Sequence, residues 1–226
     1  YVGGTGNDGL NQSAPLLRNY GDPFRGEIIM DQAGMPVVAT STSSSDLFVS
    51  PNAAQPTFGG GLDAYLFRMD PTLSTMDWAT YHGGSALDAG FGVQVSSTGD
   101  VYVTGGTESA DLPASGSPVQ PQHAGSVDGY LVRYTAGTYA RSATTFFGTG
   151  AFDQAYFVQL DGANNVYVVG QTKPDILDVG QEVVLRKYTT DGVLVWTVPF
   201  GSDLADYARA VAVDTDVANR RSTASA

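Results

Sequence analysis

Four aspartates recur in this sequence at one offset from a glycine that follows an aromatic residue. Asp8 follows Tyr1-Val2-Gly3-Gly4, Asp88 follows Tyr81-His82-Gly83-Gly84, Asp153 follows Phe146-Phe147-Gly148-Thr149, and Asp206 follows Pro199-Phe200-Gly201-Ser202. Carboxylate oxygens are the ligands calcium prefers, so Asp8, Asp88, Asp153 and Asp206 are the metal candidates of the chain, and weak ones. A carboxylate present in every copy of a motif more commonly caps a turn by accepting backbone N–H bonds, and the balance of the residues rests with capping. The same weighing applies to Asp63 and Asp128, whose place in the third copy is taken by Glu182.

Other chemistry-bearing residues are sparser. Asp31-Gln32-Ala33-Gly34, Asp161-Gly162-Ala163-Asn164, Asp191-Gly192 and Asp214-Thr215-Asp216 look like fragments of calcium loops. None has the alternating carboxylate ladder with a closing Glu, and Asp-Gly and Asn-rich turns need no metal. Glu27 and Glu108 are acids outside the repeat, and nothing in the sequence places them together as an acid–base pair for glycoside cleavage. His82 sits at a landmark position held elsewhere by Val2, Phe147 and Phe200, which suggests packing; His123 lies in a Pro/Gly/Ser loop, where exposure is expected. No His-Glu-x-x-His pattern and no Gly-x-Ser-x-Gly elbow occurs. Gly59-Gly60-Gly61 lacks the lysine of a phosphate loop and reads as a flexible turn. Arg68, Arg133 and Lys187 align with one another; they could line a channel or hold an anion, but offsetting an acidic neighbour is the commoner use. No catalytic residue is assigned.

The elements that must carry these residues are set by an internal repeat. Gly34, Gly99 and Asn164 are 65 residues apart, as are Thr42, Thr107 and Thr172. Asp63-Ala64-Tyr65-Leu66-Phe67-Arg68 returns as Asp128-Gly129-Tyr130-Leu131-Val132-Arg133. A fixed period of this length points to a solenoid, propeller or array. The landmark glycines are spaced 80, 65 and 53; the first copy carries an insertion over 9–24, and the third is shortened between Thr172 and Glu182. Four strand-like runs fall in each copy, separated by Gly/Asn/Asp turns. In the second they are Gly92 to Val95, Val101 to Thr104, Gly129 to Tyr134 and Ser142 to Phe147; in the third, Phe157 to Leu160, Val166 to Val169, Val183 to Tyr188 and Val193 to Val198. Four antiparallel strands repeated in tandem make a propeller blade, which must stack on neighbours to bury both faces. Tyr65, Tyr130 and Val184 align and are expected between blades, and Trp78 and Trp196 are expected as packing residues.

Composition narrows the classes of function. The 23 acidic against 11 basic residues leave a net charge of −12, which repels phosphate backbones and anionic lipid and makes nucleic acid and membrane surfaces poor partners. Such a surface suits cation binding or contact with neutral polymers such as glycans, and plain solubility is the simplest account. The absence of cysteine removes disulfides, thiolate metal sites and cysteine nucleophiles. No apolar run approaches the roughly 20 residues of a membrane span. Tyr1-Val2-Gly3-Gly4 already belongs to a repeat, with no signal peptide ahead of it, so the chain is expected to begin inside a longer or processed protein.

With these landmarks in place the chain resembles the bacterial SBBP repeats, a β-propeller repeat family. The resemblance rests on the aromatic-Gly-Gly openings with their aspartates and on Val101-Tyr102-Val103-Thr104-Gly105-Gly106-Thr107. It rests also on Ser45-Asp46-Leu47-Phe48, Ala110-Asp111-Leu112-Pro113, and the run from Ala54-Gln55-Pro56 to Asp63-Ala64-Tyr65. It covers nearly the whole chain except 9–24 and the last ten residues. It implies a secreted or surface location in bacteria and no agreed catalytic residues.

The expectation is therefore an all-β, partial β-propeller of four-stranded antiparallel blades, about three blades plus fragments, in one domain with copies near 1–84, 85–149, 150–202 and an incomplete 203–226. The last copy is expected to stop after the strand Ala210-Val211-Ala212-Val213. Function is read as a non-enzymatic module that binds a protein or glycan through the loops 43–62, 108–127 and 9–24, or acts as a spacer. The alternatives are a propeller enzyme acting on polysaccharide and a calcium-stabilised scaffold. Further blades from a longer chain or another subunit are the expected partners.

Overall fold

A computed structural model describes residues 2–9, 26–173, 182–202, 206, 210–213 and 222–225. All regular structure among them is β, and no helix is long and apolar enough to cross a membrane. The first copy forms β1 (Glu27–Met30), β2 (Pro36–Thr42), β3 (Asp63–Met69) and β4 (Met76–His82). The second forms β5 (Asp88–Val95), β6 (Val101–Thr107), β7 (Asp128–Tyr134) and β8 (Arg141–Phe147). The third forms β9 (Gln154–Leu160), β10 (Val166–Thr172), β11 (Glu182–Tyr188) and β12 (Leu194–Phe200), followed by β13 (Ala210–Val213) and β14 (Ser222–Ser225). Each set of four is one antiparallel meander in chain order, and β13 pairs with β14 alone.

Most strands are longer than their apolar runs. The second strand of the middle copy, expected over Val101 to Thr104, continues through Gly105-Gly106-Thr107 in unbroken register with Asp128-Gly129-Tyr130. Backbone ladder bonds do not require apolar side chains, and residues that bury on a neighbouring sheet are not restricted to alternation. The fourth copy departs from expectation for the same reason: β13 has an antiparallel partner in β14, within a segment without a strand-like pattern.

The sheets stack through their first strands. β5 packs on β1, β2 and β3; β9 on β5, β6 and β7; and β13 on β9 and β10. Val93 of β5 enters a cluster with Val37, Ala39, Leu66 and Trp78 of the first sheet. Its equivalent Val158 enters one with Tyr102, Leu131 and Phe147 of the second, and Val211 enters one with Tyr167, Val169 and Leu185 of the third. Tyr130 and Val184 lie in the first two of these junctions, as expected. Tyr65 does not: it packs with Leu47, Phe67, Ala79 and Tyr81 of its own copy, on the face of the first sheet turned away from the second. Trp78 is fully buried and stacks on Tyr139 at 4.6 Å, while Trp196 makes an edge contact with Tyr167.

The outer strands are handled in two ways. In the first copy the loop 43–62 folds back on β4, where Ser50 N–H donates to Ala79 O and Tyr81 N–H to Gln55 O. In the second, Ser115 and Thr144 exchange both backbone bonds across the β8 edge, and Phe146 N–H donates to Gln120 O. These loops, expected to carry binding, run along the outer strands and cover their edges, which blocks strand addition by other chains. The third copy is shortened in just this connection. Pro199, which has no N–H, stands where Tyr81 and Phe146 donate, so the third copy offers no outward donor at this position. Pro199→Tyr restores an outward donor on an edge where Val195, Val198 and Phe200 of β12 are exposed. It is expected to cause concentration-dependent association, seen by light scattering, that Tyr81→Phe does not.

Candidate functional site

The repeated aspartates and the repeated threonines meet. Asp88 Oδ2 accepts Gly84 N–H at 2.7 Å and Ser109 Oγ–H at 2.7 Å, and Oδ1 accepts the Thr107 hydroxyl. Asp8 accepts Gly4 N–H at 2.8 Å and the Thr42 hydroxyl at 2.6 Å. Asp153 accepts Thr149 N–H at 2.7 Å and the Thr172 hydroxyl. Asp206 accepts Ser202 N–H at 2.7 Å. Each therefore caps the loop that begins at its landmark glycine. In the first three copies it also reaches the end of the second strand: Asp88, the first residue of β5, bonds Thr107 of β6; Asp153, just before β9, bonds Thr172 of β10; and Asp8, which forms an isolated bridge ahead of β1, bonds Thr42 of β2.

The next N–H groups of these loops are capped by Asp46 and Asp111, which stand in the repeated Asp-Leu motifs, and by Ser44 and Ser109 just ahead of them. Thr5 N–H donates to Asp46 at 2.9 Å and Gly6 N–H to Ser44 Oγ at 2.8 Å. Ser85 N–H donates to Asp111 at 2.9 Å and Ala86 N–H to Ser109 Oγ at 2.9 Å. This accounts for Ser45-Asp46-Leu47 and Ala110-Asp111-Leu112: the aspartate closes the loop, and the leucine is buried.

A second aspartate series stands beside the first. Leu62 and Leu87 form a parallel bridge between the first and second sheets, as do Val127 and Phe152 between the second and third. Asp88 N–H donates to Leu62 O at 2.7 Å, and Asp153 N–H to Val127 O at 2.8 Å. Asp63 and Asp128 follow Leu62 and Val127, so a buried carboxylate from each sheet lies at the junction. Asp63 Oδ2 accepts Gly59 N–H at 2.8 Å and Gln55 Nε2–H at 3.1 Å. Asp128 Oδ2 accepts Ala124 N–H at 2.9 Å and Gln120 Nε2–H at 3.0 Å. The glutamine Oε1 in turn accepts Gly83 N–H or Gly148 N–H, linking the loop to the landmark turn. Gln55 and Gln120, equal in offset from Asp63 and Asp128, were legible as a repeated pair but had no visible partner in the sequence.

Gly59-Gly60-Gly61, expected as a flexible turn, lies on the next copy. A Cβ at Gly59 would meet Gly84 O at 2.3 Å, and one at Gly61 would meet Ala86 O at 2.5 Å. The glycines are there for close backbone approach.

Burial dominates the electrostatics. It pushes Asp63 up to about 7 and Asp88 up to about 6, and the Asp88 charge raises Asp63 further. Asp128 and Asp153 are raised by burial as well, and the Asp153 charge adds to the rise at Asp128. His82 is fully buried, which drives its imidazole down to about 3; Nδ1 meets the Tyr134 hydroxyl at 2.9 Å. His123, expected in solvent, is half-buried against the Phe146 ring, with Nε2 3.3 Å from Thr107 O.

The remaining candidates are engaged separately. Asp31 Oδ1 caps Ala33 and Met35 N–H, and Asp161 Oδ1 caps Ala163 and Asn165 N–H. Gly192 closes the Asp191 turn through Thr189 O; Asp214-Thr215-Asp216 lies outside the described residues, as does nearly all of 9–24. Arg68 pairs with Asp31 and Asp77, Arg133 with Asp100 and Asp191, and Lys187 with Asp161. Asp31, Asp100 and Asp161 stand at the hairpin turn of the first two strands of their copies, Asp77 at the start of β4, and Asp191 in the turn between β11 and β12 of the next copy. Glu27 accepts Val93 N–H at 2.7 Å, and Glu108 N–H donates to Leu87 O. Among the described residues no group of three or more His, Asp or Glu side chains is gathered to hold a metal ion. No family model matches the chain, and no curated protein matches it at a significant level.

Two predictions follow from the junction. Asp88→Ala leaves Gly84 N–H and two hydroxyls without their acceptor and is expected to cost on the order of 2–4 kcal/mol in urea unfolding. The raised acids also set a pH slope. Their stabilising contribution is present in full below the unfolded value of 3.8 and is lost as pH rises through about 6 and 7. The melting temperature should therefore fall between about pH 4 and pH 7 and level off above that. Asp63→Asn keeps an acceptor for Gly59 and Gln55, so it should flatten that slope and stabilise the protein at pH 8 by on the order of 1 kcal/mol.

Proposed function

We propose that this chain is part of a β-propeller of the SBBP type, on a bacterial surface or secreted, and that it serves as a rigid non-enzymatic module. The sheet order, with consecutive four-stranded meanders stacked through their first strands, supports the blade reading. The observation that carries the functional reading is the use of its repeated polar residues. The aspartates Asp8, Asp88 and Asp153, their threonines, and Arg68, Arg133 and Lys187 are all engaged in bonds that brace the individual repeats from within.

Of the two non-enzymatic roles, the spacer is favoured over loop-borne recognition. The loops 43–62 and 108–127 are fastened along the outer strands by matching bonds, which suits reach and stiffness more than adaptable contact. Any protein or glycan contact is then secondary. The resemblance supplies the compartment.

The test is a combined assay on the purified chain: thermal melting with and without EDTA, reducing-end release from a panel of polysaccharides, and a glycan array. The reading predicts an unchanged melting temperature, no release and no saturable glycan binding. A drop in melting temperature with EDTA would reveal a calcium-stabilised scaffold, because bound metal stabilises the fold it binds. Reducing-end release would reveal a hydrolase, and saturable binding a recognition module.

A further inference from the structure

The outward face of the first sheet holds the repeat counterparts of the residues that the second sheet buries against the first; Tyr65 and Phe67 there are covered by Leu47 and other residues of their own copy, while Ile28 stays open. Ile28, Val38, Tyr65 and Phe67 stand at the repeat positions of Val93, Val103, Tyr130 and Val132. In the second sheet all four are buried, in a cluster with Val37, Ala39, Leu66 and Trp78 of the preceding sheet. In the third, Val158, Val168 and Val184 repeat the arrangement against Tyr102, Leu131 and Phe147. On the first sheet Ile28 is 64% exposed and its neighbour Met30 60% exposed, where the counterparts Val93 and Val158 are fully buried and Val211 nearly so. A depression of about 250 Å³, lined by Val2, Val38, Leu47, Tyr65 and Phe67 among others, adjoins them.

We infer that this face is an interaction surface for a further four-stranded sheet of the same repeat. The partner would present a second- and third-strand face like Val37, Ala39, Leu66 and Trp78. The inference rests on the stacked-blade reading above and goes beyond it by naming the face and the chemistry of its partner. The interface continues the pattern of two junctions inside the chain, and its Val and Tyr positions are identical to those of the first of them. On the partner-type face the small Ala39 packs in the cluster that holds Tyr130, which suits the ring of a tyrosine there.

The repeat supplies its own test. Because Tyr81 is the counterpart of Tyr1, a copy of residues 1–80 can be joined directly ahead of Tyr1 of the full chain. The inner copy of Ile28 then faces a duplicate of the sheet that natively covers Val93, while the outer copy stays open. Ile28→Lys is expected to be nearly neutral in the native chain and in the outer copy of the extended one. In the inner copy it should lower the melting temperature by roughly 5 °C or more, the scale of burying an unpaired charge. Neutrality at the inner copy would overturn the inference. So would concentration-dependent dimerisation of the native chain that Ile28→Lys abolishes, since the face would then belong to a second copy. Val93→Lys in the native chain separates the two levels. If it destabilises while inner Ile28→Lys does not, the stacked sheets stand and only the partner is wrong; if both are neutral, the stacking itself fails.

Discussion

The structure turns on a single residue position that serves two sheets at once. At Asp88 and again at Asp153, the backbone N–H bonds the preceding sheet, and the side chain caps the loop and second strand of its own. A loop that must start a new sheet while lying against the last one would otherwise bury several N–H groups without acceptors, at a cost of about 1–3 kcal/mol each. The carboxylate answers those donors, and the donors in turn hold a charge-bearing group in a dry place. Burial raises its pKa all the same, so the device is a compromise between polar satisfaction and desolvation.

The rest of the architecture follows from the spacing this position imposes. With each first strand anchored to its predecessor, Val93, Val158 and Val211 meet the same kind of apolar face one sheet earlier. The glycines at 59–61 let one copy lie backbone to backbone on the next. The outer edges, farthest from the junction, need separate protection. The first two copies use their own loops, and the third combines a shorter connection with a proline that lacks the exposed donor.

Much of this was legible before any coordinates. The 65-residue period, the four strands per copy, their antiparallel order and the burial of Trp78, His82 and Tyr130 could all be read from residue types and spacing. What could not be read were relations between distant copies. Thr42, Thr107 and Thr172 were visible as a series, and so were the aspartates, but only the fold brings a hydroxyl of one onto a carboxylate of the other. Gln55 and Gln120 looked like motif letters and act as braces. Tyr65 looked identical to Tyr130, and its setting differs because among the described residues no sheet lies on that side. His123 is half-buried although loop composition favours exposure, because its loop lies along a strand edge against Phe146, and the role of the glycines at 59–61 in close backbone approach depends on the neighbouring copy.

The most direct check of the account is native-state amide hydrogen exchange at Asp88 and Asp153. If these amides join neighbouring sheets, they should exchange only through global unfolding, with protection equal to that of Val103 and Val168 in the strand interiors. Fast exchange at Asp88 and Asp153, with the strand interiors still protected, would mean that the sheets move independently and that the junction does not hold them.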